Sequence, residues 1–231
     1  MSGKILEAPV AQDPSVQRVG CYVDGFNLYF GLRDSKLRRY YWLNIAGLAQ
    51  KLIIPNKQML AFTKYFTARI SGGRPSDTPS KRTERDAKRK RQVDYIDALE
   101  SVRNLDVIEG HYREDPRSCN HCGAIWYVPE EKMTDVNIAT HMLIDAFANR
   151  FDVALLISGD SDLVPPVREI LHWFPHKRVN VAFPPGRFSN ELKKAVSGQF
   201  VIGKQKLRKS QFPDRVVLRS GHEIARPASW K

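Results

Sequence analysis

The sequence has few cysteines and no long apolar segment. Its 231 residues include three cysteines, which provide no paired disulfide framework. No apolar run approaches the ~20 residues of a transmembrane helix, and the opening segment MSGKILEAPVAQDPSVQR lacks the apolar core of a signal peptide. These absences argue against a membrane-spanning or disulfide-stapled protein. We therefore expect a soluble cytoplasmic protein with no membrane partner.

Acidic side chains are outnumbered, and the formal net charge is +12. Residues 81–91 carry a net charge of +5 and residues 192–231 a net charge of +8, so the rest of the chain is close to neutral. A basic run usually forms a solvated face, but two of them favour a polyanionic partner, because Lys and Arg displace counterions from phosphates. We expect RNA, with DNA and a homo-oligomer left open, and predict phosphate contacts from Lys88, Arg89, Lys90 and Arg91.

Apolar segments that suit strands alternate with segments of helical period. We expect strands within or near residues 19–23, 59–70, 105–112, 153–157 and 178–183, and helices near 44–54, 81–102 and 134–149. Strands that alternate with helices predict an α/β fold with a mainly parallel sheet covered on both faces. The last twenty residues are predicted to form an extended basic tail.

Carboxylates occur where the predicted strands end. Asp24 directly follows the first strand, and Asp160 and Asp162 follow the strand at 153–157. Counting back at helical spacing from Met142 places Asp135 on the face of its helix that meets the sheet. Ligands of open parallel sheets bind beyond the carboxyl ends of the strands, so we expect these four side chains to share one crevice.

Four carboxylates in one crevice favour a metal site. Burial and like charges would raise their pKa values, and Mg²⁺ or Mn²⁺ resolves the repulsion because these hard cations prefer carboxylate oxygen. Asn27 and Ser158 could orient a ligand or a water. Each aspartate alone is more often a turn or capping residue, but together the four predict a functional centre.

Three segments carry a family resemblance: VDGFNLY, EEKMTDVNIATHMLIDAF and ISGDSDLVPPV. They resemble the signature blocks of NYN-domain proteins, a branch of the PIN-like nuclease superfamily. The resemblance implies a three-layer α/β/α Rossmann-like fold and a metal-dependent centre that hydrolyses RNA. Carried over by motif, that centre comprises Asp24, Asn27, Asp135, Asp160 and Asp162.

The resemblance also implies a domain organisation. An NYN domain would occupy residues 18–203, after a flexible lead-in at 1–17 and before a basic C-terminal tail at 204–231. A basic helix at 81–102 and a cysteine-bearing excursion at 111–130 would be insertions whose role the resemblance leaves open.

Three further residues are candidates for substrate binding. The segment FPPGRFS follows the strand at 178–183 and should overhang the same crevice. Arg187 within it could clamp a phosphate, and Ser189 could begin a helix whose N-terminus favours anions. Lys132, three residues before Asp135, could contact phosphate. The alternatives are a solvated arginine in a proline turn and a lysine paired with a carboxylate.

The cysteines of SCNHCG have the spacing of half a zinc site. Cys119 and Cys122, with His111 as a third ligand, form a weaker hypothesis of structural zinc, because no second cysteine pair accompanies them.

Other functions compete with the nuclease. A non-catalytic RNA-binding module on the same fold is the main alternative. A phosphatase of the haloacid dehalogenase class would need DxD at the first strand, where this chain has Phe26 two residues after the aspartate. A pyridine-ring hydroxylase is a further alternative, but no GxGxxG follows the first strand to support a nicotinamide or flavin site.

Overall fold

The computed structural model describes residues 16–74 and 76–231, with the backbone alone for 112–115 and 128–131. Its α-helices are α1 (Gly25–Asp34), α2 (Ile45–Leu52), α3 (Pro79–Glu100), α4 (Thr134–Phe147), α5 (Val164–Trp173), α6 (Asn190–Ala195) and α7 (Lys204–Lys209). Its strands are β1 (Gln17–Asp24), β2 (Gln58–Thr67), β3 (Leu105–Glu109), β4 (His111–Ser118), β5 (Ile125–Lys132), β6 (Val153–Ile157), β7 (Arg178–Phe183), β8 (Gly198–Val201), β9 (Arg215–Val217) and β10 (Glu223–Ala225).

Six strands form a central sheet in the order β3-β2-β1-β6-β7-β8, and every neighbouring pair is parallel. The chain builds outward from β1 to β3 and then returns to place β6 against the other side of β1. The strand order therefore reverses between β1 and β6. Such a reversal leaves a crevice at the carboxyl ends of the two strands, which is the usual place for a ligand in an open α/β sheet.

Helices cover both faces of this sheet. Alternate side chains of β1 point to opposite faces, so Cys21 and Val23 join one apolar core and Tyr22 joins the other. Helices α1, α2 and α7 contribute buried side chains to the first core, and α4, α5 and α6 contribute to the second. The predicted three-layer α/β/α fold with a parallel central sheet is confirmed.

The C-terminal segment differs from the prediction of an extended tail. Residues 204–231 form α7, a β9–β10 hairpin and a final 3-10 turn. Leu207, Val216 and Trp230 are buried in the first core, and the Trp42 indole N–H donates to the Pro213 carbonyl at 2.8 Å. The prediction was wrong because the apolar residues that occur among the basic ones bury enough surface to hold this segment against the domain.

Residues 1–15 of the predicted lead-in at 1–17 lie outside the described residues. Strand β1 begins at Gln17, within the predicted lead-in. Within residues 16–74 and 76–231, no helix combines the length and apolarity needed to cross a membrane.

A buried ionic network fastens α4 to the sheet. The Asp145 carboxylate, on α4, accepts hydrogen bonds from the Lys64 ammonium of β2, from the Tyr22 hydroxyl of β1 at 2.8 Å and from Arg150 at 2.8 Å. Lys64 and Asp145 are both almost fully buried. Because α4 also carries Asp135 in its first turn, this network helps to fix the position of that carboxylate beside the sheet.

We predict that Asp145→Asn lowers the free energy of unfolding by about 3 kcal/mol or more, because it leaves the buried Lys64 ammonium without its counter-charge. Urea unfolding followed by circular dichroism measures the change. Asp94→Asn is the matched control: its partner Lys90 is largely exposed, and such pairs contribute about 0.5 kcal/mol or less. Equal losses in the two variants would contradict a special role for the network.

Candidate metal centre

Three carboxylates converge at the crevice between β1 and β6. Asp24 is the last residue of β1, Asp160 follows β6, and Asp135 lies in the first turn of α4. Each offers an oxygen atom, and these atoms all lie within 4.8 Å of one another. The centre thus draws one side chain from each of three separate segments, as the positions of the predicted strands and helix suggest.

Asp24 is held by hydrogen bonds from both sides of the crevice. One carboxylate oxygen accepts from the Asn27 backbone N–H at 2.9 Å and caps α1, and the other accepts from the Ser158 hydroxyl at 2.9 Å. The Ser158 oxygen in turn accepts from the Asp160 backbone N–H at 3.0 Å. The amide oxygen of Asn27 accepts from the Gly159 N–H at 2.9 Å. Asn27 and Ser158 therefore join the loop after β6 to the end of β1.

The surroundings of Asp24 disfavour its ionised form. Burial raises the pKa of Asp24 to about 7; the hydrogen bonds from Asn27 and Ser158 oppose this shift, and the neighbouring Asp135 and Asp160 add to it. Asp135 and Asp160 are only half-buried, so they border the open side of the centre. A bound cation would offset both the burial penalty and the repulsion.

Asp162 does not join the other three aspartates. Its backbone N–H donates to the Asp160 carboxylate at 3.0 Å, and its own side chain is exposed. Asp160 caps a 3-10 turn over Ser161–Leu163, and the Asp162 carboxylate within that turn is not part of the cluster. The prediction that Asp162 is a fourth metal ligand is therefore not supported by the geometry. Ser158 likewise makes its hydrogen bonds to protein groups, which suits a positioning role better than the predicted substrate contact.

The loop after β7 overhangs the crevice, as its sequence position suggests. A Cβ atom at Gly159 would lie 3.0 Å from the backbone of Arg187 and of Phe188, so the two loops are in direct contact. The Arg187 guanidinium forms an ion pair with Asp34 at 2.6 Å rather than extending freely into the crevice. The Ser189 hydroxyl caps α6, accepting from the Leu192 N–H at 3.1 Å, so Ser189 begins a helix as predicted, and its contact with an anion stays a prediction.

The remaining basic candidates divide into two groups. On α3, Lys88 and Arg91 line a cavity beside the metal centre. Lys90 instead pairs with Asp94 at 2.9 Å, and Arg89 lies against the loop that contains Gly72. Lys132 is the last residue of β5 and is exposed close to the start of α4; its contact with phosphate stays a prediction.

The predicted zinc ligands are not brought together. Cys119 and Cys122 lie in the tight turn between β4 and β5, whereas His111 is the first residue of β4, at the other end of the hairpin. Eight residues of extended chain separate them by more than about 20 Å, so His111 cannot complete their site. Backbone N–H groups of Cys122 and His121 lower the pKa of the Cys119 thiol.

Sequence reasoning missed the cavity next to the metal centre. It has a volume of about 530 Å³ and is lined mainly by aromatic and basic side chains of α1, α3 and the C-terminal segment. One local signal for it was present. Phe26, Tyr29, Phe30 and Arg33 recur at i, i+3, i+4 and i+7, which places them on one face of α1.

The fold and site define a class of protein: a nuclease-type α/β domain with an acidic cluster that could hold metal. A family model, the NYN domain, matches residues 18–203. The chain therefore belongs to the NYN-domain family of the PIN-like superfamily. Among the residues that the structure describes, the cluster consists of three carboxylates with no histidine or cysteine, and this donor set fits a hard divalent cation.

This chain is similar to a bacterial enzyme and to a solved structure. The 6-hydroxy-3-succinoylpyridine 3-monooxygenase HspA of Pseudomonas putida is 30% identical over 192 residues. That similarity covers 68% of this chain and 57% of the relative, so the chain spans little more than half of the relative's length. A crystal structure of a protein of unknown function from Vibrio parahaemolyticus superposes with a TM-score of 0.51 at 19% identity, over 87% of this chain and 100% of that chain. This second likeness concerns the fold alone.

We predict that Asp24→Asn stabilises the metal-free protein above pH 7. The folded-state pKa of Asp24 is about 7, against about 4 in the unfolded chain. Between these values the folded chain keeps a proton that the unfolded chain has lost, so wild-type stability falls as pH rises from about 4 to about 7. Asn removes this loss and still caps α1, so the free energy of unfolding should rise by about 1 kcal/mol or more at pH 8 and remain nearly unchanged at pH 4.

Thermal melts at both pH values, with chelator or with Mn²⁺, measure these effects. Mn²⁺ should raise the melting temperature of the wild type, since it binds only the folded chain, and this gain should largely vanish in Asp24→Asn. Asp162→Asn serves as the control and should keep the gain. A variant that is less stable at both pH values and still stabilised by Mn²⁺ would make Asp24 a capping residue only.

Proposed function

We propose that this chain is a metal-dependent endoribonuclease that hydrolyses RNA phosphodiester bonds with Mg²⁺ or Mn²⁺ at Asp24, Asp135 and Asp160. One observation carries the proposal: carboxylates from three separate segments meet within 4.8 Å at the point where the strand order reverses. A purely structural role would not require like charges to converge, because their repulsion destabilises the fold.

The residues divide the work between holding and orienting. Asp24, Asp135 and Asp160 would hold the cation, which supplies positive charge to the phosphoryl oxygens as negative charge builds on them. Ser158 donates a hydrogen bond to Asp24, and Asn27 accepts one from Gly159; together they fix the position of the loop after β6 relative to Asp24. The half-buried Asp135 and Asp160 border the open side, where a phosphodiester and an attacking water can approach.

The composition of the donor set also bears on the alternatives. The similar Pseudomonas protein is named a pyridine-ring monooxygenase, which raises oxidation of an aromatic ring as a second function. Iron centres of non-haem oxygenases combine two histidines with one carboxylate, whereas among the described residues no histidine or cysteine joins the aspartate cluster. The carboxylate-only set favours hydrolysis.

A binding module that does not cleave RNA is the remaining alternative. A dehalogenase-type phosphatase is disfavoured because Phe26 occupies the position of its second aspartate.

We predict that Asp160→Asn reduces kcat/KM for RNA cleavage by about 100-fold or more, because charge stabilisation by a bound cation is worth several kcal/mol. The assay uses purified protein with single-stranded RNA, single-stranded DNA and duplexes, in Mg²⁺, Mn²⁺ or chelator. Asp162→Asn is the matched control, two residues away and outside the cluster, and should retain most of the activity. Cleavage that survives both chelator and Asp160→Asn would overturn the proposal and favour a binding module.

We also predict which lysines and arginines of α3 contact RNA. Each lost phosphate contact flattens the plot of log affinity against log salt by about 0.7 for a single strand. Lys88→Gln and Arg91→Gln should each produce this change, measured by fluorescence anisotropy at several salt concentrations. Lys90→Gln, which removes the partner of Asp94, should change the slope less. If Lys88→Gln and Arg91→Gln both keep the wild-type slope, this face of α3 does not meet the RNA.

A further inference from the structure

The aromatic and basic cavity begins one residue from the metal centre. Gly25 lines it and directly follows Asp24. The Tyr65 hydroxyl lies only 2.6 Å from where a Cβ atom of Gly25 would be, so this ring, which lines the cavity, packs against the residue that follows Asp24. Burial raises the pKa of Tyr65, and the Asp24 carboxylate raises it further. The cavity and the metal centre are therefore adjacent parts of one surface.

Aromatic rings surround the cavity in an almost continuous series. The Tyr65 ring meets Tyr95 with centroids 6.3 Å apart, and Tyr95 meets Trp230 at 6.0 Å. From Trp230 the series continues to Tyr41 at 5.6 Å and to Tyr29 at 5.1 Å. These rings come from β2, α3, the C-terminal turn, the segment before α2 and α1. Such an arrangement suits a flat aromatic ligand, which gains from stacking and from edge contacts.

The charges of the cavity are of one sign. No carboxylate of a described residue lines it, whereas Arg33, Lys36, Arg38, Lys88 and Arg91 do. Arg33 pairs with Asp34, but among the side chains that the structure describes none of the other four forms an ion pair. Unpaired cations from two segments that line an aromatic cavity favour a ligand that carries both rings and several negative charges.

We propose that this cavity binds an unpaired nucleobase of the RNA beside the phosphodiester to be cleaved, with the flanking phosphates at the four cations. The inference rests on the proposed function and specifies its substrate as single-stranded RNA. A volume of about 530 Å³ lies within the range of about 300–1,000 Å³ that holds small organic ligands, so a nucleoside fits. A base in a duplex cannot enter without leaving its stack.

A small aromatic acid fits the charges less well. One carboxylate can neutralise one or two neighbouring cations, but Lys36 and Arg38 lie between α1 and α2 while Lys88 and Arg91 lie on α3. A polynucleotide presents a phosphate before and after an inserted base, so it offers several negative charges to the cations that line the cavity. Four unpaired cations from two segments therefore favour a nucleotide chain over a monocarboxylate.

The experiment measures binding in chelator, so that it does not depend on cleavage. Five-nucleotide RNAs with one abasic residue at each position in turn are titrated by fluorescence anisotropy against the whole chain. Loss of one particular base should weaken binding about five-fold or more, since stacking on an aromatic side chain is worth that much, and the other positions should matter less. The matched duplex should bind more weakly than the single strand.

Variants locate the effect in the cavity. Tyr29→Leu should weaken binding of the complete RNA and remove the difference between the abasic positions, whereas Tyr29→Phe, which keeps the ring, should preserve both. Trp173→Leu removes an exposed ring on α5, outside the cavity, and should change neither. Thermal melts of all variants verify folding, and Tyr29→Phe keeps the test decisive if the leucine variant unfolds.

Several results would overturn the inference. These are equal affinities at every abasic position, duplex binding as tight as single-strand binding, no binding of any RNA, or normal RNA binding by Tyr29→Leu. A further contradictory result combines two measurements: nicotinate binds to the wild type but not to Tyr29→Leu, and removal of a base does not change the affinity for RNA. That result would assign the cavity to a small aromatic acid. Position-specific binding by a protein that never cleaves RNA would instead refute the nuclease and leave the cavity's role intact.

Discussion

The burial of Asp24 at the end of β1 is the constraint around which the centre is arranged. A carboxylate at 3% exposure is stable as an anion only if hydrogen bonds and positive charge offset its lost hydration. The hydrogen bonds are present, from Asn27 and Ser158, but Asp135 and Asp160 add negative charge. The protein therefore places a nearly fully buried acid where two others increase the cost of ionisation, and a bound cation would relieve the repulsion among all three.

The same residue couples the metal centre to the cavity. Asp24 caps α1, and the exposed face of that helix presents Tyr29 and Phe30 to the cavity. A rotation or shift of α1 would thus disturb both the Asp24 carboxylate and the rings. Because α1 also packs on the loop after β7 through Gly31 and Pro185, the three parts of the surface are held by one rigid element, which favours a preorganised site over one assembled on binding.

The sequence was sufficient for the parallel sheet and for the positions of three aspartates, because continuous apolar strands and the carboxylates after them are local signals. Asp162 was misplaced because spacing alone does not tell which side chain a 3-10 turn directs inward. The folded C-terminus was missed because Leu207, Val216 and Trp230 show no regular period. The cavity was missed because its rings come from five separate segments, and only tertiary structure brings them together.

The charged residues of α3 are not arranged to stabilise the helix itself. Its first turn has no acidic residue and its last turn no basic one, so its charges do not complement the helix dipole. Its buried residues, Ile96, Ala98 and Leu99, lie near the C-terminal end, while the basic N-terminal half is mostly exposed. The packed end thus anchors the helix, while Lys88 and Arg91, in its middle, line the cavity. This placement of basic residues lowers the stability of the helix. A bound polyanion such as a single strand of RNA would offset that loss by neutralising their charges.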